Sequence, residues 1–286
     1  MPSHSVAVRS EWKRELRNHR RFLMPALSIS RPDLTAMIGR MTLAMEQEKE
    51  PAGGENHAQP ESSDLRTLAC IIDHTMLRPQ ATCEDIDRFC AEAVTLGVGA
   101  IVLHQVWVPQ AARIVRGTGI KVGTVVGFPF GATLASVKRM EAEASIRAGA
   151  EELDMVMNIG AMRSGNLKGV LSDIQGVVDI AHDSGCILKV ILENAYLSDE
   201  QKVAACQIAK QAGADYVKTS TGLGPSGATE ADVQLMRETV GTSMGVKAAG
   251  GIRSLGDALK MLEAGADRLG TSTSAAILEE AARRLG

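Results

Sequence analysis

Eight short Val/Ile-rich runs alternate with amphipathic stretches of about ten to eighteen residues, and a small-Gly-small turn precedes every second run. The last two runs end in turns rich in Gly, Ser and Thr. Together these observations predict an α/β chain closed into a (βα)8 barrel, the TIM barrel, preceded by an N-terminal helical and irregular extension.

The runs begin near Cys70-Ile71-Ile72-Asp73-His74, Ala100 to Leu103, Val122 to Val126, Leu153 to Met157, Leu188 to Glu193, Tyr216-Val217-Lys218, Val246-Lys247-Ala248 and Arg268-Leu269-Gly270. Each is short and β-prone, as a strand covered on its outer face by helices should be. The turns are Leu96-Gly97-Val98-Gly99-Ala100, Ala148-Gly149-Ala150, Ala212-Gly213-Ala214 and Ala264-Gly265-Ala266. Each glycine supplies a left-handed helix cap, and its small neighbours let the next strand start close by. Recurrence at every second unit suits a barrel built from quarter repeats. An open doubly wound sheet explains the glycine turns but not eight units in one run.

Ahead of the runs, a basic start (Arg9, Lys13, Arg14, Arg17, Arg20, Arg21) leads through one short helical pattern into the polar stretch Glu46 to Asp64. Residues 1–62 therefore read as an extension plus linker, and 63–286 as the barrel. Glu11 and Glu15 in the basic start argue against a transit peptide and for a solvated helix or an oligomer contact.

The formal net charge of −3 gives no general attraction to nucleic acid or to an anionic membrane, and 3% aromatics argue against base stacking. No run approaches the roughly 18 uninterrupted apolar residues of a membrane helix. The five cysteines show no paired spacing, so reduced thiols in a soluble cytoplasmic protein are expected.

Lys218 and Lys247 each end a β-prone run at a Gly-rich turn, where a barrel strand delivers side chains to the active mouth. Burial and a neighbouring ammonium both disfavour the charged form, so one such amine can serve as the nucleophile of Schiff-base chemistry. A purely structural pairing of either lysine with a carboxylate is the alternative. Asp154, polar within an apolar strand and opposite in direction to Leu153 and Met155, suits proton transfer beside those lysines, or an ion pair with one of them.

The turns Gly250-Gly251-Ile252-Arg253 and Gly270-Thr271-Ser272-Thr273-Ser274 fall where barrels bind phosphate, after strands seven and eight, although Ser and Thr are also ordinary helix caps. Asp73, His74, His104, Lys189 and Glu193 are further pocket candidates. The histidines lack paired metal-ligand spacing and read as hydrogen-bonding residues, so neither metal nor cofactor is expected.

From Ile71 to Ser274 these motifs resemble the 2-deoxyribose-5-phosphate aldolases, which are class I aldolases. The matching stretches include Ile72-Asp73-His74-Thr75-Met76-Leu77, Gly127-Phe128-Pro129-Phe130-Gly131, Gly149 to Val156, Lys189 to Glu193, Lys218-Thr219-Ser220-Thr221-Gly222, Lys247 to Arg253 and Arg268 to Ser272. The resemblance implies a (βα)8 barrel that cleaves 2-deoxy-D-ribose 5-phosphate to D-glyceraldehyde 3-phosphate and acetaldehyde. It implies that Lys218 forms the Schiff base, that Asp154 and Lys247 relay protons, and that Lys247 lowers the pKa of the Lys218 amine.

Asp73, Lys189 and Thr221 would line the substrate site, and Gly222, Gly250, Gly251, Arg253, Gly270 and Ser272 would hold the phosphate. The expected partners are small phosphorylated sugars and aldehydes, with a homodimer expected from the fold family alone. Val102, Gln105 and Asn194 depart from the family pattern and bear on substrate fit. Two alternatives keep the fold: a Schiff-base aldolase for another phosphorylated sugar, and a non-catalytic phosphate-ligand-binding barrel.

Overall fold

The computed structural model describes residues 29–47 and 62–285. The basic start and most of the polar linker lie outside the described residues. The chain divides into two units, Met1–Ser30 and Arg31–Gly286, and the second contains the barrel.

Eight parallel strands close in sequence order: β1 Ile72–Met76, β2 Ala100–Leu103, β3 Lys121–Val126, β4 Glu152–Val156, β5 Ile187–Ile191, β6 Tyr216–Lys218, β7 Gly245–Ala249 and β8 Arg268–Thr271. All eight expected runs are strands. The first is shifted, because Cys70 ends the helix Ser62–Cys70 and the strand starts at Ile72. The four small-Gly-small turns form as expected, with φ of 65° at Gly97, 113° at Gly149, 87° at Gly213 and 118° at Gly265. A side chain at these angles would be strained, which is why glycine stands there.

The helix Arg31–Gln47 falls in the stretch that the sequence reads as extension, yet it packs on barrel elements. It buries Leu34, Met37, Ile38 and Met41. Arg31 donates to the Ala266 carbonyl at 2.9 Å, and Arg40 makes a two-pronged pair with Asp64 at 2.8 and 2.5 Å. Ser62 to Asp64, at the end of the polar stretch, already belongs to the next helix.

Strand alternation sets the chemistry of each layer. Leu153, Met155, Leu188, Val190, Val217, Val246 and Leu269 face outward against the helices and are fully buried. Each contributes on the order of 1.5–3 kcal/mol when fully buried. Alternate positions point into the barrel and carry Asp73, Glu152, Asp154, Lys189, Lys218 and Lys247, each at most 3% exposed. An interior of this kind is stable only if the charges satisfy one another, because an unpaired buried charge costs several kcal/mol.

Candidate active site

Strand register brings the charged side chains together. Asp154 on β4 is level with Lys189 on β5, and Lys218 on β6 is level with Lys247 on β7. Lys218 Nζ donates to Asp154 Oδ2 at 2.8 Å, and Lys247 Nζ donates to the same oxygen at 2.7 Å. The other carboxylate oxygen, Oδ1, receives Lys189 Nζ at 2.8 Å. Asp154 thus ties three lysine amines; its position opposite Leu153 and Met155 led us to expect it beside Lys218 and Lys247, and Lys189 is a third partner.

A second set of contacts lies alongside. Lys247 Nζ also donates to Asp73 Oδ2. Lys189 Nζ reaches Glu152 Oε2 at 2.6 Å and Asp73 Oδ2 at 3.6 Å. Arg268 donates to Asp73 Oδ1 at 2.5 Å and to both oxygens of Glu152 at 3.0 and 2.9 Å. Gly270 leaves room for this arrangement, because a Cβ there would stand 3.1 Å from Lys247 Cε and 3.0 Å from Ala249 Cβ.

Burial would raise the pKa of Asp154, but Lys189, Lys218 and Lys247 outweigh it and hold the carboxyl well below its ordinary value. Asp73 is held low in the same way by Arg268, Lys247 and Lys189 against burial. For Lys189 burial pulls downward, yet Asp154, Glu152 and Asp73 win and raise its pKa. Lys247 goes the other way: burial outweighs Asp154 and Asp73, Lys218 and Lys189 add repulsion, and its pKa falls to about 8. Two amines therefore share one carboxylate oxygen, and one of them is poised to lose its proton near neutrality.

The mouth carries the other expected residues. Gly222, Gly250 and Gly251 have φ of 86°, 84° and 83° in the turns after β6 and β7. These turns touch, since Gly250 approaches the Gly227 and Gly222 backbones so closely that a Cβ would lie 3.0 and 3.4 Å from their Cα atoms. Gly222, Gly251, Arg253 and Ser272 are exposed at this end. Gly270 instead lies within β8 beside Lys247. Thr221 is buried, and its hydroxyl donates to Glu193 Oε2 at 2.5 Å while its N–H reaches the same oxygen at 3.1 Å. A cavity of about 290 Å³ adjoins this pair, bounded by Phe130, Arg163, Glu193, Tyr196, Thr221 and Leu223.

Several candidates stand elsewhere than the sequence suggested. Glu193 follows β5 rather than extending it, and takes a left-handed φ of 55°. His74 alternates with Asp73 and packs outside the barrel, stacked on Phe89 at 4.3 Å with Nδ1 against Ser274 Oγ at 2.9 Å. Burial pushes its pKa down to about 4, which suits a neutral hydrogen-bonding ring. His104 Nε2 pairs with the Leu77 carbonyl at 3.1 Å.

The departures from the family pattern have their own partners. Gln105 donates to the Val125 carbonyl at 2.9 Å, Asn194 turns toward Met236 Sδ at 3.2 Å, and Val102 is buried in β2. Sequence reasoning did not single out Glu152 and Arg268. The available signal was their position, two residues before Asp154 and Gly270 on the same strand face.

Residues 67–279 match the DeoC/LacD family aldolases. The chain belongs to this family. It is 53% identical over 216 residues to the deoxyribose-phosphate aldolase of Aciduliprofundum boonei, covering 76% of this chain and 97% of that protein. A solved structure of a putative deoxyribose-phosphate aldolase from Coccidioides immitis superposes with a TM-score of 0.73 at 36% identity, covering 88% of this chain and 98% of that one. The deoxyribose phosphate aldolase of Aeropyrum pernix, described as a unique tetramer, gives 0.70 at 35% identity, covering 77% of this chain and 97% of its own. This barrel is therefore an aldolase, a carbon–carbon lyase, as the resemblance implied. Among the described residues no helix is long and apolar enough to cross a membrane.

Proposed function

We propose that this aldolase reversibly cleaves 2-deoxy-D-ribose 5-phosphate to D-glyceraldehyde 3-phosphate and acetaldehyde through a Schiff base on Lys218. The observation that carries the reading is the single oxygen, Asp154 Oδ2, shared by the Lys218 and Lys247 amines. Lys218 has one carboxylate partner, whereas Lys247 has two. Lys218, held by a single carboxylate, is therefore the amine freer to leave its partner and reach a substrate carbonyl, with Lys247 beside it to exchange protons.

The Lys218 amine adds to C1 of the open-chain sugar phosphate, and loss of water gives an iminium. A proton leaves the C3 hydroxyl, the C2–C3 bond breaks, and glyceraldehyde 3-phosphate departs from an enamine. Protonation of that enamine at C2 and hydrolysis release acetaldehyde and the free lysine. Asp154 and Lys247 carry the protons, directly or through water. Asp73 and Lys189 hold Asp154 and Lys247 in place, and Thr221 borders the substrate. Gly222, Gly250, Gly251, Arg253 and Ser272 receive the phosphate at the mouth, with Gly270 beneath them.

The five free cysteines suit a cytoplasmic setting, and a homodimer is the assembly we expect. The test is product analysis: enzyme-coupled detection of acetaldehyde and glyceraldehyde 3-phosphate from 2-deoxyribose 5-phosphate. Stoichiometric release of both supports the reading. Turnover of another sugar phosphate without acetaldehyde would replace the substrate, and binding without turnover would favour a non-catalytic barrel.

A further inference from the structure

The charged groups that face the lysines can be followed around the barrel. β1 supplies Asp73, β4 supplies Glu152 and Asp154, β5 supplies Lys189, β6 supplies Tyr216 and Lys218, β7 supplies Lys247 and β8 supplies Arg268. β2 is apolar throughout. On β3, Lys121 pairs with Glu151 at 2.7 Å, and Thr124 donates to the Leu103 carbonyl. The connected cluster therefore holds four cations against three carboxylates, one positive charge too many for an interior that cannot solvate it.

Arg268 keeps its proton under all ordinary conditions, so the excess must be relieved at a lysine. The Arg268 and Glu152 side chains form no ion pair with Lys218 or Lys247, although Arg268 lies beside Lys247 in the strand register. Each nonetheless changes the balance by one unit. We propose that Glu152 and Arg268 are positioning residues that set the proton count of the lysine cluster, and so the pH at which Lys218 becomes a nucleophile. This inference rests on the Schiff-base reading above.

The test reads the pH dependence of adduct formation on Lys218, with acetaldehyde and sodium borohydride, followed by peptide mass spectrometry. Glu152→Gln removes a negative charge and leaves two excess positives, so the acid limb should move to lower pH by about one unit or more. Arg268→Met leaves three lysines against three carboxylates, so the limb should move to higher pH by a similar amount. The double variant again has one excess positive charge, and its limb should return toward the wild-type position. A merely structural role predicts no opposite shifts and no return.

Same-direction shifts, an unmoved limb in Glu152→Gln, or a double variant displaced further than either single would overturn the proposal. If Arg268→Met does not fold, Glu152→Gln and the double variant still decide it. Absence of any wild-type adduct on Lys218 would instead remove the Schiff-base reading, and this inference with it.

Discussion

Replacing Lys247 with Met should remove an increment of stability that the wild-type barrel gains as the pH rises above neutrality. The amine is fully buried, and its pKa falls from an ordinary 10.5 to about 8. Below about pH 8 the lysine is protonated in both folded and unfolded chains, and the folded state bears the full cost of burying its charge. As the pH climbs through about 8 the folded amine releases its proton, while the unfolded one keeps it until about 10.5. The unfolded state then binds more protons, so stability rises with pH.

The interval from about 8 to 10.5 corresponds to about 3 kcal/mol in full, of which about 1 kcal/mol appears between pH 7 and 9. Buried thiols oppose it. Burial pushes Cys90 and Cys186 up to about 11 and Cys206 to about 12 from 9.0, so their contribution declines as the pH passes through the unfolded thiol value. The assay is therefore a difference: urea unfolding of wild type and Lys247→Met at about pH 7 and about pH 9. The wild-type advantage should grow by about 1 kcal/mol over that range. The variant should fold, since it leaves Lys189, Lys218 and Arg268 against three carboxylates. A difference that stays flat or shrinks would refute the reasoning.

Asp154→Asn, which removes the carboxylate that Lys218 and Lys247 share, should lower kcat for sugar-phosphate cleavage by about 10²–10⁴-fold while circular dichroism stays native; rates near wild type would count against Asp154 as a proton carrier. Gly270→Ala places a methyl group 3.1 Å from Lys247 Cε, so urea unfolding should show a loss of about 1–3 kcal/mol, accompanied by a fall in kcat. Lys138 lies outside the barrel, fully buried, and donates to Asp173 Oδ2 at 2.6 Å and the Val156 carbonyl at 3.0 Å. Lys138→Met should cost about 3–5 kcal/mol by leaving Asp173 unpaired, and adding Asp173→Leu should recover part of that loss in thermal melts.

The strands, their order and the four glycine caps were legible because each rests on local signals: β-branched runs, helical periodicity and the need for a left-handed residue. Lys218, Lys247 and Asp154 were legible because a charge inside an apolar strand requires a partner. Arg268 and Glu152 were harder to see. They open their strands, where a polar residue is commonplace, and only closure of the barrel places β8 and β4 across from each other. The clamp of Glu193 on Thr221 depends on a left-handed backbone just past β5, and a glutamate gives no local warning of that conformation. The helix Arg31–Gln47 has a modest apolar face, and its role in covering the barrel depends on Ala266, Asp267 and Glu263, which lie far away in sequence.

The most direct measurement is mass spectrometry after sodium borohydride treatment with acetaldehyde or 2-deoxyribose 5-phosphate, comparing wild type with Lys218→Ala. A Schiff base on Lys218 requires a reduced adduct that maps to Lys218 and is absent from the variant. No adduct, or one carried by Lys247 or Lys189, would contradict it.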